Sequence, residues 1–324
     1  MFDKYSGSLS IFAQEYVNKL QERQIKIVAI TNHNKFVREE YLVIKEKAEK
    51  KGILVLPGVE ISISDGKSGL HLLCIFPEQL ADIDRYENQC LIEKFITNMF
   101  PNRRFDDQGD PLKSDKNLKE MVNILEGLGI KYMIIPAHVD GNKRCFKEWS
   151  FSSIIPFINR EWIRRKIMAF QDISHSSGQK YENEAHAIAK RMDIQDRLLI
   201  PAYIEASDPK CIDEVGRKFS FIKLGELSFE ALYFALSQPE LRLMKGMDQG
   251  EKVPCIKNIS FLTQKGLKGV NIHFNTGLNN LVGIRGSGKS TIIEAVRYVF
   301  EIDADDDRDY KNGLMKDLTV LKIL

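Results

Sequence analysis

Apolar and polar positions along this chain follow two rhythms. Over residues 10–24 the apolar side chains stand at 11, 12, 16, 17 and 20, the spacing of one buried helical face, so an amphipathic helix is predicted there. Residues 25–30 read as a buried strand running into Thr31-Asn32-His33-Asn34, and a charged helix follows over about 38–51. Residues 53–60 and 70–76 read as further strands, the first ending on Glu60. Residues 81–128 read as helical, with a Pro- and Asp-rich interruption at 101–111. Apolar runs at 132–138, 167–175 and 198–208 then close on His138, His175 and Asp208 in turn. A strand at 219–224 and a helix at 228–236, with Ser228 as N-cap, complete the pattern.

Strands alternating with helices predict a parallel sheet, open or closed into a barrel. Polar residues with metal-ligand chemistry stand where those strands end, the edge on which α/β barrels build their sites. The rhythm breaks around 241–253, through Met244, Gly246, Met247, Asp248, Gln249 and Gly250. Domains are therefore expected at 1–243 and 254–324, with 244–253 as a linker. In the second domain, strands are predicted at 255–262, 269–274 and 278–282.

The last of these strands runs into Gly283-Ile284-Arg285-Gly286-Ser287-Gly288-Lys289-Ser290, which fits G-x-x-x-x-G-K-[ST], with a helix predicted from Thr291 onward. Glycines let backbone N–H groups turn inward around a phosphate, and a helix N-terminus adds partial positive charge. The expected ligand is ATP with Mg²⁺. Lys289 would reach the β- and γ-phosphates, the Ser290 hydroxyl the Mg²⁺, and Gly283, Gly286, Ser287, Gly288 and Thr291 would line the loop. Beyond Ser290 comes an acidic run at 303–309, read as a solvated loop, and no apolar strand ending in Asp-Glu. The stretch thus reads as the front piece of an ATPase, to be completed by further sequence or another chain.

Composition changes this picture little. The 324 residues are 43% hydrophobic and 28% charged with a net charge of +2, an ordinary soluble balance that neither requires nor excludes nucleic acid. The five cysteines (Cys74, Cys90, Cys145, Cys211 and Cys255) form no C-x-x-C pair, which suggests reduced thiols. No signal pattern or run of 18 apolar residues occurs, so no membrane partner and a cytoplasmic setting are expected.

His33, Glu60, His71, His138 and Asp208 are the candidate metal ligands, and the chain has only six histidines. Two histidines and a carboxylate suffice for a catalytic Zn²⁺ or Mn²⁺, with Fe as a further candidate. His175, with Asp172 beside it, is a further candidate at a strand end. His186 is expected on a solvated helix face, Lys143 and Arg144 in a solvated loop, and His273 has no assigned role.

The order of Thr31-Asn32-His33-Asn34, Pro57-Gly58-Val59-Glu60-Ile61, His71-Leu72-Leu73, Pro136-Ala137-His138 and Ala206-Ser207-Asp208 resembles the motifs of the PHP (polymerase and histidinol phosphatase) phosphoesterases. The segments 215–223, 228–232 and 239–242, followed by Phe274-Asn275-Thr276-Gly277-Leu278-Asn279 and the phosphate loop, resemble the TrlF-like family. Its members join a PHP domain to an SMC- or ABC-type ATPase.

The resemblance implies a distorted (β/α)₇ barrel with up to three metals. Glu60, His71 and His138 match the protein ligands of one position, Asp208 a ligand of the second and His33 one of the third. In the implied catalysis, a water held by the Glu60–His71–His138 position attacks phosphorus and Asp208 orients it, so Glu60, His138 and Asp208 carry the chemistry. This sequence lacks the opening His-x-His strand, and Lys210 stands where the last motif has a second histidine. A protonated lysine donates hydrogen bonds and ligates nothing, so fewer than three ions are expected. The function implied is phosphate-ester hydrolysis, with nucleic acid as a candidate substrate, in DNA repair or defence against foreign DNA. The alternative is a decayed or truncated relative that serves as a nucleotide-binding regulatory or assembly module.

Overall fold

The computed structural model describes residues 5–65, 69–81, 90–140, 166–195, 198–244, 256–261, 267, 269–275, 278–300 and 321–323. Lys143, Arg144, Cys145, Cys255 and the acidic run at 303–309 lie outside these residues. The chain divides into two compact units, Met1–Gly246 and Met247–Leu324.

In the first unit, helix α1 (Leu9–Glu22) buries Phe12, Ala13, Tyr16, Val17 and Leu20, the face its spacing predicts. Strand β1 (Ile27–His33) pairs in parallel with β2 (Leu54–Ile63) across helix α2 (Arg38–Glu49). Both strands run three residues further than predicted, so His33 and Glu60 lie within the sheet.

β3 (Leu70–Ile75) departs from the expected parallel sheet: it is antiparallel to β2 and to β4 (Met133–Pro136). Only residues 64–69 separate β2 from β3, too few for the crossover that parallel pairing demands. The reversal carries His71, the second residue of β3, to the edge where β1 and β2 end.

The predicted helical stretch at 81–128 resolves into α3 (Leu91–Met99) and α4 (Leu118–Gly127) around the interruption. α4 opens with a reciprocal cap, in which Asn117 Oδ1 accepts from Glu120 N and Glu120 Oε2 from Asn117 N, at 3.1 and 2.8 Å.

Beyond β4 the row continues through the bridge between Ile134 and Ile167 into β5 (Ala169–Gln171), which pairs in parallel with β6 (Ala202–Ile204). Helix α5 (His175–Met192), capped by Ser174, lies between them in sequence. The strand predicted at 219–224 shrinks to β7 (Phe221–Ile222), paired with β8 (Leu243–Met244). Between those two, α6 (Phe229–Leu236) starts on the predicted Ser228 cap.

Alternating side chains sort onto two faces, as the strand repeat requires. One face (Val55, Val59, Ile61, Leu72, Cys74 and Ile134 among others) packs into the large core with the helices. The other, including Leu56, Ile75, Met133, Ile135 and Ala202, converges on Phe229, Leu232 and Leu236 of α6. Ile27 and Ala29 of β1 and Ile204 and Ile222 of β6 and β7 join the same cluster, so the row curls around an apolar plug. Among the described residues no backbone ladder joins β6 or β7 back to β1.

The second unit holds β9 (Asn258–Phe261), flanked antiparallel by β10 (Asn271–His273) and β11 (Leu321–Ile323), and helix α7 (Lys289–Val299). A small core of Ile259, Phe261, Ile292 and Ala295 joins strand and helix. The strand predicted at 278–282 does not form. Among the described residues no strand pairs with it, so its backbone has no ladder to join. Leu278, Val282 and Ile284 are correspondingly exposed. No helix among the described residues is long and apolar enough to cross a membrane.

Candidate metal centre and phosphate loop

Strand register assembles the first site. β1 pairs His33 with Glu60, and β2 pairs Ser62 with His71. On each strand these residues share the parity of the plug residues: 27 and 29 lead to 33, 54 and 56 to 60, and 75 and 73 to 71. The polar side chains therefore continue the interior face beyond the apolar plug. One donor atom from each of His33, Glu60 and His71 falls within 4.8 Å of the others. His71 Nδ1 lies 2.7 Å from Glu60 Oε1, and the two imidazoles meet edge to face at 5.2 Å.

Ser62 was not singled out in the sequence, although it stands two residues past Glu60 and so on the same face. Its buried Oγ lies 2.8 Å from His33 Nε2, which orients that ring and leaves Nδ1 for another partner. Burial pushes the His33 imidazole down, against the opposing pull of Glu60. For Glu60, burial acts to raise the carboxyl, but the hydrogen bond with His71 and the charges of His33, His71 and His138 hold it below its usual range. A deprotonated carboxylate beside an imidazole kept neutral is the donor state a divalent ion requires. Two imidazoles and one carboxylate fit Zn²⁺ or Mn²⁺.

His138 and Asp208 form an adjoining group. His138 Nδ1 faces Asp172 Oδ2 at 3.4 Å and its Nε2 faces Asp208 Oδ2 at 3.6 Å. Lys218 Nζ stands 3.3 Å from Asp172 Oδ2, and Lys210 Nζ contacts both oxygens of Asp208 at 2.9 and 2.8 Å. Burial raises the Asp172 carboxyl, but His138 and Lys218 outweigh it and hold the group low. The five predicted ligands thus lie in two neighbouring sets, with His138 and Asp208 in the second. Asp172 enters the site while His175, its neighbour in the sequence reading, becomes an exposed first residue of α5. His186 is exposed on the same helix, as expected. Lys218 lies in the 215–223 segment of the family resemblance, but nothing in that segment marked it as a site residue.

Backbone strain marks the same edge. Asn34, His138 and Asp172, just past β1, β4 and β5, all adopt left-handed conformations, with φ of 53°, 48° and 55°. Such residues cost about 1–2 kcal/mol each, least for Asn and Asp, and persist where the surroundings fix them. Buried Asn34 is held by donating Nδ2 to the carbonyls of Arg104 and Leu112, so the 101–117 segment clamps the edge from outside.

In the second unit, Gly288 caps α7 with φ of 88°, a left-handed turn that a side chain would strain. Gly283, Gly286 and Ser287 wrap ahead of it, and Ser290 and Thr291 lie in its first turn. Lys289 Nζ donates to the carbonyls of Gly283 and Ile284 at 2.6 and 2.8 Å, bridging the loop from within.

Residues 256–320 match the AAA domain family. No curated protein matches the chain. Among solved structures, the chain is similar to a two-domain protein from Bacteroides vulgatus described as containing an inferred PHP-like metal-dependent phosphoesterase. The TM-score is 0.42 at 12% identity, over 82% of each chain. It is also similar to a candidate metal-dependent phosphoesterase from Bifidobacterium adolescentis (TM-score 0.37, 14% identity, 69% of this chain and 90% of that one). A third is an amidohydrolase from Chromobacterium violaceum with bound sulfate and no metal (TM-score 0.36, 15% identity, 63% of this chain and 84% of that one).

Proposed function

We propose that the first unit is a metal-dependent phosphoesterase built on a distorted barrel, and that the second binds ATP with Mg²⁺ at the 283–291 loop. The observation that carries the first half is the convergence of His33, Glu60 and His71 to within 4.8 Å at one strand edge. A divalent ion there would supply Lewis acidity and a water of lowered pKa. The chain's own residues supply the surroundings. Ser62 sets the His33 ring, Asp172 and Asp208 flank His138 so that its proton has an acceptor on either side, and Lys210 and Lys218 bring positive charge for an anionic ester. The order of motifs shared with PHP phosphoesterases supports the same reading and makes nucleic acid the proposed substrate class, with repair or defence as the setting.

For the second unit, the AAA domain match and the left-handed cap of α7 support nucleotide binding. The exposure of Leu278, Val282 and Ile284, in a stretch that no described strand pairs with, supports a need for further strands, from another segment or chain, before turnover begins.

The test is hydrolysis of bis(p-nitrophenyl) phosphate and of single-stranded DNA in Mn²⁺, for wild type and Glu60→Ala at matched purity. Release by the wild type alone is expected. Equal release by both would assign the activity to a contaminant and remove the phosphoesterase reading.

A further inference from the structure

The pocket edge carries its own cations. Lys210 engages both oxygens of Asp208, and Lys218 engages Asp172, the two carboxylates that flank His138. Lys210 and Lys218 are exposed while Asp172 and His138 are largely buried, so the ammonium groups reach in from the rim. Among the described residues, Glu60, Asp172 and Asp208 set three negative charges against the two positive ones of Lys210 and Lys218, so these five side chains together leave a single negative charge. One divalent ion reverses this to a single positive charge, the sign that favours a phosphate anion. Without the lysines, one divalent ion would leave the pocket negative, and a second would be needed to reach the same state.

We propose that Lys210 and Lys218 together take the place of a second divalent cation, so that the pocket works with one metal ion at His33, Glu60 and His71. The inference rests on the metal-centre reading above and extends it to stoichiometry. Asp208 Oδ2 and His138 Nε2 are 3.6 Å apart, close to the roughly 3.4 Å expected of two ligands at about 2.1 Å on one tetrahedral ion. They could hold a metal between them. With Lys210 on both carboxylate oxygens, that position already has its positive charge.

The two lysines also make a clean test. Lys210 and Lys218 are themselves exposed, so Lys210→Met and Lys218→Met are expected to keep the fold, with a modest loss where part-buried Asp172 gives up one of its two partners, read by thermal melting. Mn²⁺ binding to the full chain is titrated by electron paramagnetic resonance at constant ionic strength, without nucleotide. To keep the phosphate loop out of the count, every protein carries Lys289→Ala and Ser290→Ala. Expected are one bound Mn²⁺ per chain with both lysines present, and two, with the broadened signal of neighbouring ions, in the Lys210→Met, Lys218→Met variant. Adding Asp208→Asn to that variant should return the count to one. One ion with or without the lysines would overturn the inference alone and leave the metal centre standing. Two ions with the lysines present would overturn it as well. No bound ion at all would remove the metal-centre reading and the inference together.

Discussion

Gly58 is the position where the fold and the site depend on the same missing atom. It sits in the middle of β2, between Thr31 of β1 and Ile75 of β3, two residues before Glu60. A Cβ built there would stand 2.8 Å from the Cys74 carbonyl oxygen and 2.9 Å from Thr31 Cγ2. Neither neighbour can step aside cheaply. The first is backbone in a paired strand, and the second belongs to a β-branched residue with few rotamers. Gly58→Ala must therefore push β2 away from β3 or β1. Overpacking of this kind costs roughly 1–3 kcal/mol. For a unit of this size each kcal/mol lowers Tm by about 2–4 °C, so a drop of roughly 2–12 °C is expected. The same shift separates Glu60 on β2 from His71 on β3, now 2.7 Å apart, so Mn²⁺ affinity should fall with stability, by roughly 10-fold or more. Differential scanning fluorimetry with and without Mn²⁺ reads both. An unchanged Tm together with unchanged Mn²⁺ stabilisation would refute the close packing of β1, β2 and β3 around this residue.

Two further outcomes follow from the charged groups. Asp172 is held below its unfolded value of about 3.9, so it stabilises the fold above that pH, and this contribution is lost as the pH falls through the folded value. Asp172→Asn should therefore narrow the difference in urea midpoint between pH 6 and pH 3 relative to wild type, and an equal or wider difference would contradict the pairing. In the second unit, Lys289→Ala removes a cation now resting on two loop carbonyls. Loss of one charge-assisted contact of about 1.5–3 kcal/mol should weaken binding of a fluorescent ATP analogue roughly 10- to 100-fold. Undiminished affinity would place the nucleotide elsewhere.

The sequence already showed which residues could form the centre, and much less of how they meet. His33, Glu60 and His71 were legible because each ends or opens an apolar run of strand length. What the pattern does not carry is strand direction. An apolar run reads the same forwards and backwards, so the reversal of β3 became visible only through its pairing with β2. The division of the five ligands was hidden for a related reason. His138 faces Asp172 and Asp208 from a left-handed residue just past β4, a conformation that local composition does not specify. Asp172 and Lys218 reach the site from segments 46 residues apart in sequence, so only the tertiary fold relates them. The failed prediction at 278–282 has the opposite cause. The propensity for strand is present there, but a strand also needs a neighbour, and the described residues offer none.

The most direct test of the account is the metal content of the full chain after dialysis against Mn²⁺ and then metal-free buffer. It compares wild type with a Glu60→Ala, His71→Ala double variant of equal thermal stability, both carrying Lys289→Ala and Ser290→Ala so that the phosphate loop stays out of the count. The centre described here predicts about one equivalent in the wild type and none in the variant. Equal content in the two proteins, or none in either, would contradict it.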